Sequence, residues 1–280
     1  MTYINDAESV AELTRLDHQA RLVTQVTGLL PARLEDGDFQ MVLDVGCGPG
    51  QWGLDMAFQY PLATARGIDS SATMVEYANA RARSQNLHNV AFEVNDIFQN
   101  ELPYAENRFD LIHVRFATGW VKGHTQWVSL LLRLFVLLKA GGYLVITEGE
   151  GVYTTSAALE RLHEILCNTL HALGYSLSAS PRFMGVVARL GHLLSQQGFQ
   201  QVRLEAHGLD YSSYRQEENV AWLHNFQLLL HESQPVFIRS GATTSEELAL
   251  LEHQVTIDMF REDFCAIGPL FTFSAQKPQG

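Results

Sequence analysis

The feature that most constrains this chain is an apolar run that leads into a glycine-rich turn. A buried strand is predicted at Val42-Leu43-Asp44-Val45, followed by Gly46-Cys47-Gly48-Pro49-Gly50 and a helix that begins near Gln51. Glycines allow positive φ angles and let a ligand approach the main chain closely. The first turn of the helix offers N–H groups and the positive end of its dipole. The sequence therefore predicts a strand-turn-helix unit that binds a small anionic ligand.

The alternation of strands and helices continues along the chain. Strands are predicted at residues 41–45, 64–68, 89–94, 111–116 and 143–147, the pattern of βαβ units in a parallel sheet. Helices are predicted between them, one capped by Ser70-Ser71 and one at residues 126–138. Beyond residue 150 we expect helices at 157–173, 183–197, 219–238 and 246–260, and strands at 201–209 and 265–273. The last helix follows a capping box that begins at Thr244.

A further helix is predicted at residues 7–30, before the first strand. Its apolar stripe consists of Val10, Leu13, Leu16, Ala20 and Val23. A neighbouring face carries Glu8, Glu12, Arg15 and Gln19, and a solvated surface is the default interpretation of such a polar face.

Composition excludes several classes of protein. With 31 acidic and 19 basic residues the net charge is -12, which provides no basic surface for nucleic acid or for an anionic membrane. The longest apolar stretch, residues 130–138, is interrupted by Arg133 and is too short to cross a bilayer, and the N-terminus lacks a secretory signal. We therefore expect a soluble, cytoplasmic protein. Cys47, Cys167 and Cys265 form no Cys-x-x-Cys pair, so neither a disulfide framework nor a metal site is expected.

Two ligand classes use such a glycine turn. Residues 48–53 match the dinucleotide pattern G-x-G-x-x-G, which leaves a nicotinamide-dependent oxidoreductase as the least favoured reading. The strand ends at Val45, however, so the turn begins at Gly46, and the third glycine position then holds Gln51. Asp44 would also repel a pyrophosphate. Its carboxylate suits a ligand that carries a positive group.

Further motifs follow in order. Asp69 ends the second strand, Asn95-Asp96-Ile97 ends the third, and residues 109–116 and 138–144 surround the fourth strand and the start of the fifth. With the glycine turn, these motifs resemble the class I S-adenosylmethionine-dependent methyltransferases. The resemblance implies an α/β fold with a Rossmann-like, doubly wound, seven-stranded sheet, mostly parallel with an antiparallel last strand. It also implies S-adenosylmethionine as cofactor.

The resemblance implies one methyltransferase domain over residues 1–280. Residues 1–39 would form an N-terminal helical lid, residues 40–150 the cofactor-binding core, and residues 151–280 the remaining sheet with a helical cap. An insert at about 212–264 would form most of that cap. Its apolar bulk either covers a hydrophobic acceptor or forms a homodimer face, and the sequence leaves both open.

The family pattern assigns roles to the strand-end residues. A carboxylate at Asp69 can accept both ribose hydroxyls, and Asp96 would take the adenine amino group. The N-terminal segment resembles a subgroup with fungal regulators of secondary metabolism and bacterial natural-product methyltransferases, where Arg15 would meet the methionyl carboxylate. The expected cofactor-binding residues are Tyr3, Arg15, Gln19, Asp44, Gly46, Cys47, Gly48, Gly50, Asp69, Ser70, Met74, Asn95, Asp96, Ile97, Arg115 and Phe116.

The sequence contains fewer signals for the residues that bind the methyl acceptor. A small organic acceptor is expected, with O-methylation favoured over N- or C-methylation, and His124 or Glu148 would then serve as general base. Trp120, Glu150 and Tyr153 are expected to contact the acceptor, whereas His113 lies within a strand and is interpreted as a hydrogen-bonded core residue. The alternative to an enzyme is a regulatory protein that binds the cofactor without catalysing methyl transfer.

Overall fold

One mixed sheet organises the chain, for which the computed structural model describes residues 5–99 and 102–279. The strands in these ranges are β1 Met41–Val45, β2 Thr64–Asp69, β3 Val90–Val94, β4 Phe109–Arg115, β5 Leu138–Gly149, β6 Tyr153–Thr154, β7 Gln200–Asp210 and β8 Ala266–Gln276. Strands β1 to β5 are parallel in the order β3-β2-β1-β4-β5, and β8 lies antiparallel between β5 and β7. The predicted doubly wound sheet with an antiparallel last strand is confirmed. Strand β6 is additional, because two residues are too few to produce an alternating pattern.

Helices surround this sheet. In the described ranges they are α1 Val10–Thr27, α2 Gln51–Gln59, α3 Ala72–Ser84, α4 Gly123–Leu137, α5 Ala157–Ala172, α6 Val186–Gln196, α7 Gln216–Arg239 and α8 Ser245–Met259. Side-chain caps begin α3 and α8 where the sequence predicted them: Ser71 accepts the N–H of Met74, and Thr244 accepts that of Glu247.

The hydrophobic core occupies both faces of the sheet. On one face, Trp127 and Leu134 of α4 pack with Ile112 of β4 and Leu144 of β5, all at most 1% exposed. Each such side chain contributes about 1.5–3 kcal/mol through its removal from water. A second cluster packs α2 and α3 against the other face, and a third joins Val23 of α1 to α5, α7 and α8.

Two residues of the polar face of α1 are buried, so the expectation of a solvated surface is wrong for Glu12 and Arg15, whereas Glu8 is exposed. Glu12 and Arg15 are 0% and 4% exposed, and Arg15 Nε donates to Glu12 Oε2 at 2.7 Å. Asn5 links this pair to α7, since its Nδ2 donates to Glu12 Oε1 and its Oδ1 accepts from Ser233 Oγ. Val10, assigned to the apolar stripe, is 74% exposed. Periodicity could not reveal this arrangement because the covering helix is distant in sequence.

The insert between β7 and β8 forms α7 and α8. Helix α8 packs against α5 and α7, and α7 packs against α1. Within the described ranges, none of the helices has the length and apolar character required to cross a bilayer.

Candidate functional site

A cavity lies at the carboxyl ends of β1, β2 and β4, beneath α1. The predicted site residues that line it are Gln19, Asp44, Gly46, Cys47, Gly48, Asp69, Ser70, Met74, Arg115, Phe116 and Trp120. Parallel α/β sheets place ligands at this edge, because the loops there leave a crevice where the chain reverses direction across the sheet.

The glycine turn forms the floor of the cavity. Gly46 has a φ of 69°, and a Cβ atom there would lie 3.2 Å from Cζ2 of Trp120. Gly50 has a φ of 81°, and a Cβ atom there would lie 2.6 Å from Cβ of Ala78. Glycine is thus required at both positions, because the φ angles are positive and because Trp120 and Ala78 of α3 leave no room for a side chain. Helix α2 begins after Gly50 without a side-chain cap, so its first N–H groups are left for water or a ligand.

Asp69 is anchored by main-chain donors at the end of β2. Its Oδ2 accepts the N–H of Gly48 and its Oδ1 accepts the N–H of Ser71, each at 2.9 Å. Burial raises the pKa of Asp69, and these two hydrogen bonds oppose the rise. A carboxylate offers about four lone-pair sites, so two acceptor positions remain for hydroxyl groups of a ligand.

Asp44 is oriented by a histidine on the adjacent strand. His113 Nδ1 lies 2.8 Å from Asp44 Oδ1, and the imidazole stacks on Trp52 with ring centroids 4.1 Å apart. Burial lowers the pKa of His113, although Asp44 acts in the opposite direction. The neutral ring therefore donates its Nδ1–H to Asp44 and leaves Oδ2 of the carboxylate as an acceptor. The prediction that His113 is a hydrogen-bonded core histidine is confirmed, and the residue also lines the cavity.

Arg115 brings a cation to the same cavity. Its Nη1 donates to the carbonyl oxygen of Ala20 at 3.2 Å and to Thr24 Oγ1 at 3.1 Å, which ties β4 to α1. Its Nε is buried and has no hydrogen-bond partner within the described chain. Burial lowers the pKa of Arg115 to about 10, so the guanidinium remains charged at neutral pH.

Apolar side chains form the walls. Trp120 is 8% exposed and packs edge-on to Phe98, with ring centroids 6.3 Å apart. Phe116 follows β4, and Leu16 and Ala20 of α1 complete the lining. The cavity therefore combines apolar walls with two carboxylates and one guanidinium.

Several predicted cofactor residues lie outside this lining in the described chain. Arg15 is held by Glu12, and Gly50 supports the turn from behind. At the end of β3, Asp96 Oδ1 accepts the N–H of Phe98 at 2.9 Å, Asn95 Oδ1 is buried with no hydrogen-bond partner among the described residues, and Ile97 is fully buried. Tyr3 lies outside the described residues.

Of the predicted base and acceptor residues, Trp120 lines the cavity and the other four lie outside the lining. His124 is exposed in the first turn of α4. Glu148 is 1% exposed and accepts from Thr118. Glu150 accepts the N–H groups of Gly185 and Val187 and so caps α6, and Tyr153 is 72% exposed on β6.

Sequence reasoning missed several lining residues: Ala7, Leu16, Ala20, Pro49, Gln51, Trp52 and His113. A signal existed for Gln51 and Trp52, because the first turn of the helix after a glycine turn necessarily faces the ligand. Leu16 and Ala20 carry no such signal, since their spacing is that of ordinary core residues.

A glycine turn after β1, an acidic residue ending β2 and an antiparallel strand beside β5 together define a Rossmann-like α/β protein with a site for a polar nucleoside-type ligand. Residues 38–213, more than half of the chain, match the family described as Methyltransferase domain. The chain belongs to this family, the class I S-adenosylmethionine-dependent methyltransferases, whose cofactor is S-adenosylmethionine.

Curated relatives show how far the likeness extends. Trans-aconitate 2-methyltransferase of Deinococcus radiodurans is 37% identical over 117 residues, which cover 42% of this chain and 41% of that protein. Methyltransferase pytC of Aspergillus terreus is 25% identical over 244 residues, covering 85% and 71% of the two chains. Secondary metabolism regulator laeA of Monascus pilosus is 25% identical over 248 residues, covering 84% and 63%. The predicted likeness to fungal regulators of secondary metabolism is thereby confirmed.

Solved structures agree on the fold. Phosphoethanolamine N-methyltransferase 2 of Haemonchus contortus, in complex with S-adenosyl-L-methionine, superposes with a TM-score of 0.53 at 19% identity, covering 94% of this chain and 53% of that one. The [4+2]-cyclase SpnF gives a TM-score of 0.52 at 22% identity, covering 86% and 76%. At these identities the two structures establish the architecture alone.

Proposed function

We propose that the cavity beneath α1 holds S-adenosylmethionine and that the enzyme methylates a small organic acceptor, with oxygen favoured as the receiving atom. The observation that carries this proposal is the convergence of Asp44, Asp69 and Arg115 on one apolar-walled cavity at the glycine turn. The net charge of -12 supports a small molecule over nucleic acid as the acceptor.

The polar groups present fit the cofactor. Oδ2 of Asp44 suits an ammonium group, and the two remaining acceptor positions of Asp69 suit a ribose diol. The unpartnered Nε of Arg115 suits the methionyl carboxylate. We assign that carboxylate to Arg115 in preference to Arg15, whose guanidinium is already held by Glu12. The assignment of Asn95, Asp96 and Ile97 to the adenine, and of Tyr3 to the lid, remains a prediction.

The cavity walls supply the environment that methyl transfer requires. Bound S-adenosylmethionine supplies an electrophilic methyl group on a positively charged sulfur. Leu16, Ala20, Phe116 and Trp120 exclude water, which favours a reaction that disperses charge. Holding the acceptor in line with the methyl group also removes much of the entropic barrier.

The positions of the titratable groups bear on whether the acceptor needs a general base. Neither His124 nor Glu148 lines the cavity, and the ionisable residues that do so in the described chain are Asp44, Cys47, Asp69, His113 and Arg115. We assign the two carboxylates and the guanidinium to the cofactor. Burial raises the pKa of the Cys47 thiol well above its ordinary value, so this thiol is not a base.

An acceptor whose oxygen is already ionised at neutral pH needs no base, and a carboxylate is such an acceptor. The name of the relative trans-aconitate 2-methyltransferase indicates a carboxylic acid as its substrate.

Binding of S-adenosylhomocysteine, measured by calorimetry, tests the cofactor site. We expect Asp69→Ala to weaken binding by about 30- to 160-fold, because a charged acceptor of two hydrogen bonds contributes about 2–3 kcal/mol. Asp210→Ala is the matched control, since Asp210 ends β7 and accepts the N–H of Ser212 as Asp69 accepts that of Ser71. Equal affinity in both variants would contradict the proposed site.

The acceptor class is tested with labelled methyl donor and a panel of small carboxylic acids, amines and carbon nucleophiles. Esters release methanol in mild alkali, whereas N-methyl and C-methyl products retain the label. Alkali-labile label from one or more of the acids would support O-methylation. Stable label, formed only with amine or carbon acceptors, would overturn it.

A homodimer through the cap is a further part of the proposal. Leu250 and Ile257 lie on one face of α8 and are 72% and 47% exposed, and Phe260, just beyond the helix, is 66% exposed. Exposed apolar residues that cluster on one helix face are typical of interaction surfaces.

A further inference from the structure

The end of β5 places a buried carboxyl group behind the cavity wall. Glu148 is 1% exposed, and both of its oxygens accept hydrogen bonds from the same residue. Thr118 N donates to Oε1 at 3.3 Å, and Thr118 Oγ1 donates to Oε2 at 2.8 Å. The side chain thus joins β5 to the segment that follows β4.

That segment carries the two aromatic walls. Thr118 lies in a single 3₁₀ turn, Ala117–Gly119, between Phe116 and Trp120. Phe116 has a φ of 53°, a left-handed conformation that a bulky residue retains only when its surroundings enforce it. Its N–H donates to Thr147 O at 2.9 Å, and the Trp120 N–H donates to Ala117 O at 2.9 Å. Strand β5 therefore holds this segment at two points, Phe116 through Thr147 and Thr118 through Glu148, and Thr118 is the point that lies between the two walls.

We propose that Glu148 is a positioning residue, whose two hydrogen bonds to Thr118 hold Phe116 and Trp120 in place as walls of the cavity. The effect on ligand affinity rests on the proposed function, because it assumes that the cofactor binds between these walls. The effect on the positions of Phe116 and Trp120 does not rest on the proposed function. The role differs from that of a general base, since Glu148 acts through Thr118 and lies outside the cavity lining.

The chemistry of the contact indicates which replacements preserve it. Burial, reinforced by Glu150, raises the pKa of Glu148 to about 7, so both protonation states occur near neutral pH. Glutamine can accept the Thr118 N–H through its carbonyl oxygen and donate to Thr118 Oγ1 through its amide. Alanine removes both contacts. Glu148→Gln should therefore keep the walls in place, and Glu148→Ala should release them.

The test compares four variants with the wild type in binding of S-adenosylhomocysteine and in emission from Trp120. Trp120 emission is obtained as the difference between each protein and its Trp120→Phe counterpart. We expect Glu148→Ala, which removes both contacts, to weaken binding about 10-fold and to shift the emission to longer wavelength, as the indole gains water. Thr118→Val removes only the hydroxyl contact and should produce the same two changes to a smaller extent. Glu148→Gln should remain within about 2-fold of the wild type. Thr147→Val is the control, because Thr147 is equally buried on β5 but its hydroxyl contacts Thr272.

The outcomes separate this proposal from the proposed function. Unchanged binding and unchanged Trp120 emission in folded Glu148→Ala would overturn the positioning role. A loss in Glu148→Gln as large as in Glu148→Ala would also overturn it and would favour a role for the carboxylate charge. If wild-type protein binds no S-adenosylhomocysteine, the proposed function fails, whereas a shift of Trp120 emission in Glu148→Ala would still support the positioning role. If Glu148→Ala does not fold, Thr118→Val provides the same two readouts.

Discussion

Burial is the main influence on the ionisable residues that face or support the cavity. It raises the pKa of Glu148 to about 7, lowers that of His113, and lowers that of Arg115 to about 10. In each case the charged form loses contact with water and is disfavoured. Near neutral pH the result is one neutral imidazole, one carboxyl group that titrates, and one guanidinium that stays charged.

The stability of the protein should therefore depend on pH through Glu148. Its pKa is about 7 in the folded state and 4.5 ordinarily, so the folded protein holds this proton more tightly. The resulting stabilisation is complete below pH 4.5 and is lost as the pH rises through 7. Glu148→Gln has no proton to lose, so relative to wild type it should gain about 3 kcal/mol of unfolding free energy between pH 4.5 and pH 8. Urea unfolding at both pH values measures this gain, and Glu252→Gln on the exposed face of α8 is the control. Parallel pH profiles for wild type and Glu148→Gln would refute the prediction.

Single residues differ in how well the sequence reveals them. Asp44 lies near the end of the first strand signal and Asp69 directly follows the second, so their place at the carboxyl edge of the sheet could be predicted from the strand pattern. Glu148 also follows a strand, yet its side chain turns to Thr118, and nothing local distinguishes that contact from a position facing the ligand. Glu12 and Arg15 were misread for another reason, since their burial depends on α7, which is far away in sequence.

At the scale of elements, α1 covers the cavity and is fastened at several points. The carbonyl oxygen of Ala7, just before α1, accepts from Ser71 Oγ, and Asp17 accepts from Arg81 Nη1 at 2.5 Å. Arg115 donates to Ala20 near the middle of the helix. These contacts tie α1 to α3 and β4, the elements that position the site.

The Glu12–Arg15 ion pair should contribute strongly to the stability of α1. Glu12→Ala removes a carboxylate from a buried guanidinium, and such losses cost about 3–5 kcal/mol. The double variant Glu12→Leu/Arg15→Met should recover part of this cost, because it buries no charge but removes the acceptor of Asn5 Nδ2. Arg21→Ala is the control: the Arg21 side chain is 56% exposed and its partner Asp17 keeps the ion pair with Arg81, so the loss should be less than about 1 kcal/mol. Urea unfolding of the variants measures these differences, and equal losses in Glu12→Ala and Arg21→Ala would contradict the prediction.

The existence of elements was predictable, and their ends were less so. Helix α6 was expected from residue 183 but begins at Val186, after Gly185 in a left-handed conformation, where Glu150 caps it. Helix α1 was expected over residues 7–30 and spans Val10–Thr27, between the cap Ser9 and Gly28. Periodicity locates the middle of a helix, whereas capping contacts that join distant residues decide its ends.

For the molecule as a whole, the position of the cap limits what it can do. Helix α1 lines the cavity and also contacts α7, and no described residue of the 212–264 insert lines the cavity. The sequence left two interpretations of this insert open. The cavity lining does not support the first, in which the insert covers the acceptor. The exposed apolar face of α8 supports the other interpretation, a contact between two copies of the chain.

The proposed homodimer would therefore form through this face of α8. We expect the wild type to have twice the monomer mass in light scattering after gel filtration, and Leu250→Glu/Ile257→Glu to have the monomer mass. Charges on both partners would face each other across a symmetric contact, because the same patch meets itself. Leu62→Glu is the control, since Leu62 is 84% exposed near the end of α2, outside the cap. The double variant should keep its affinity for S-adenosylhomocysteine, because α8 does not reach the cavity lining. A monomeric wild type, or a dimer unaffected by charge at 250 and 257, would exclude this face.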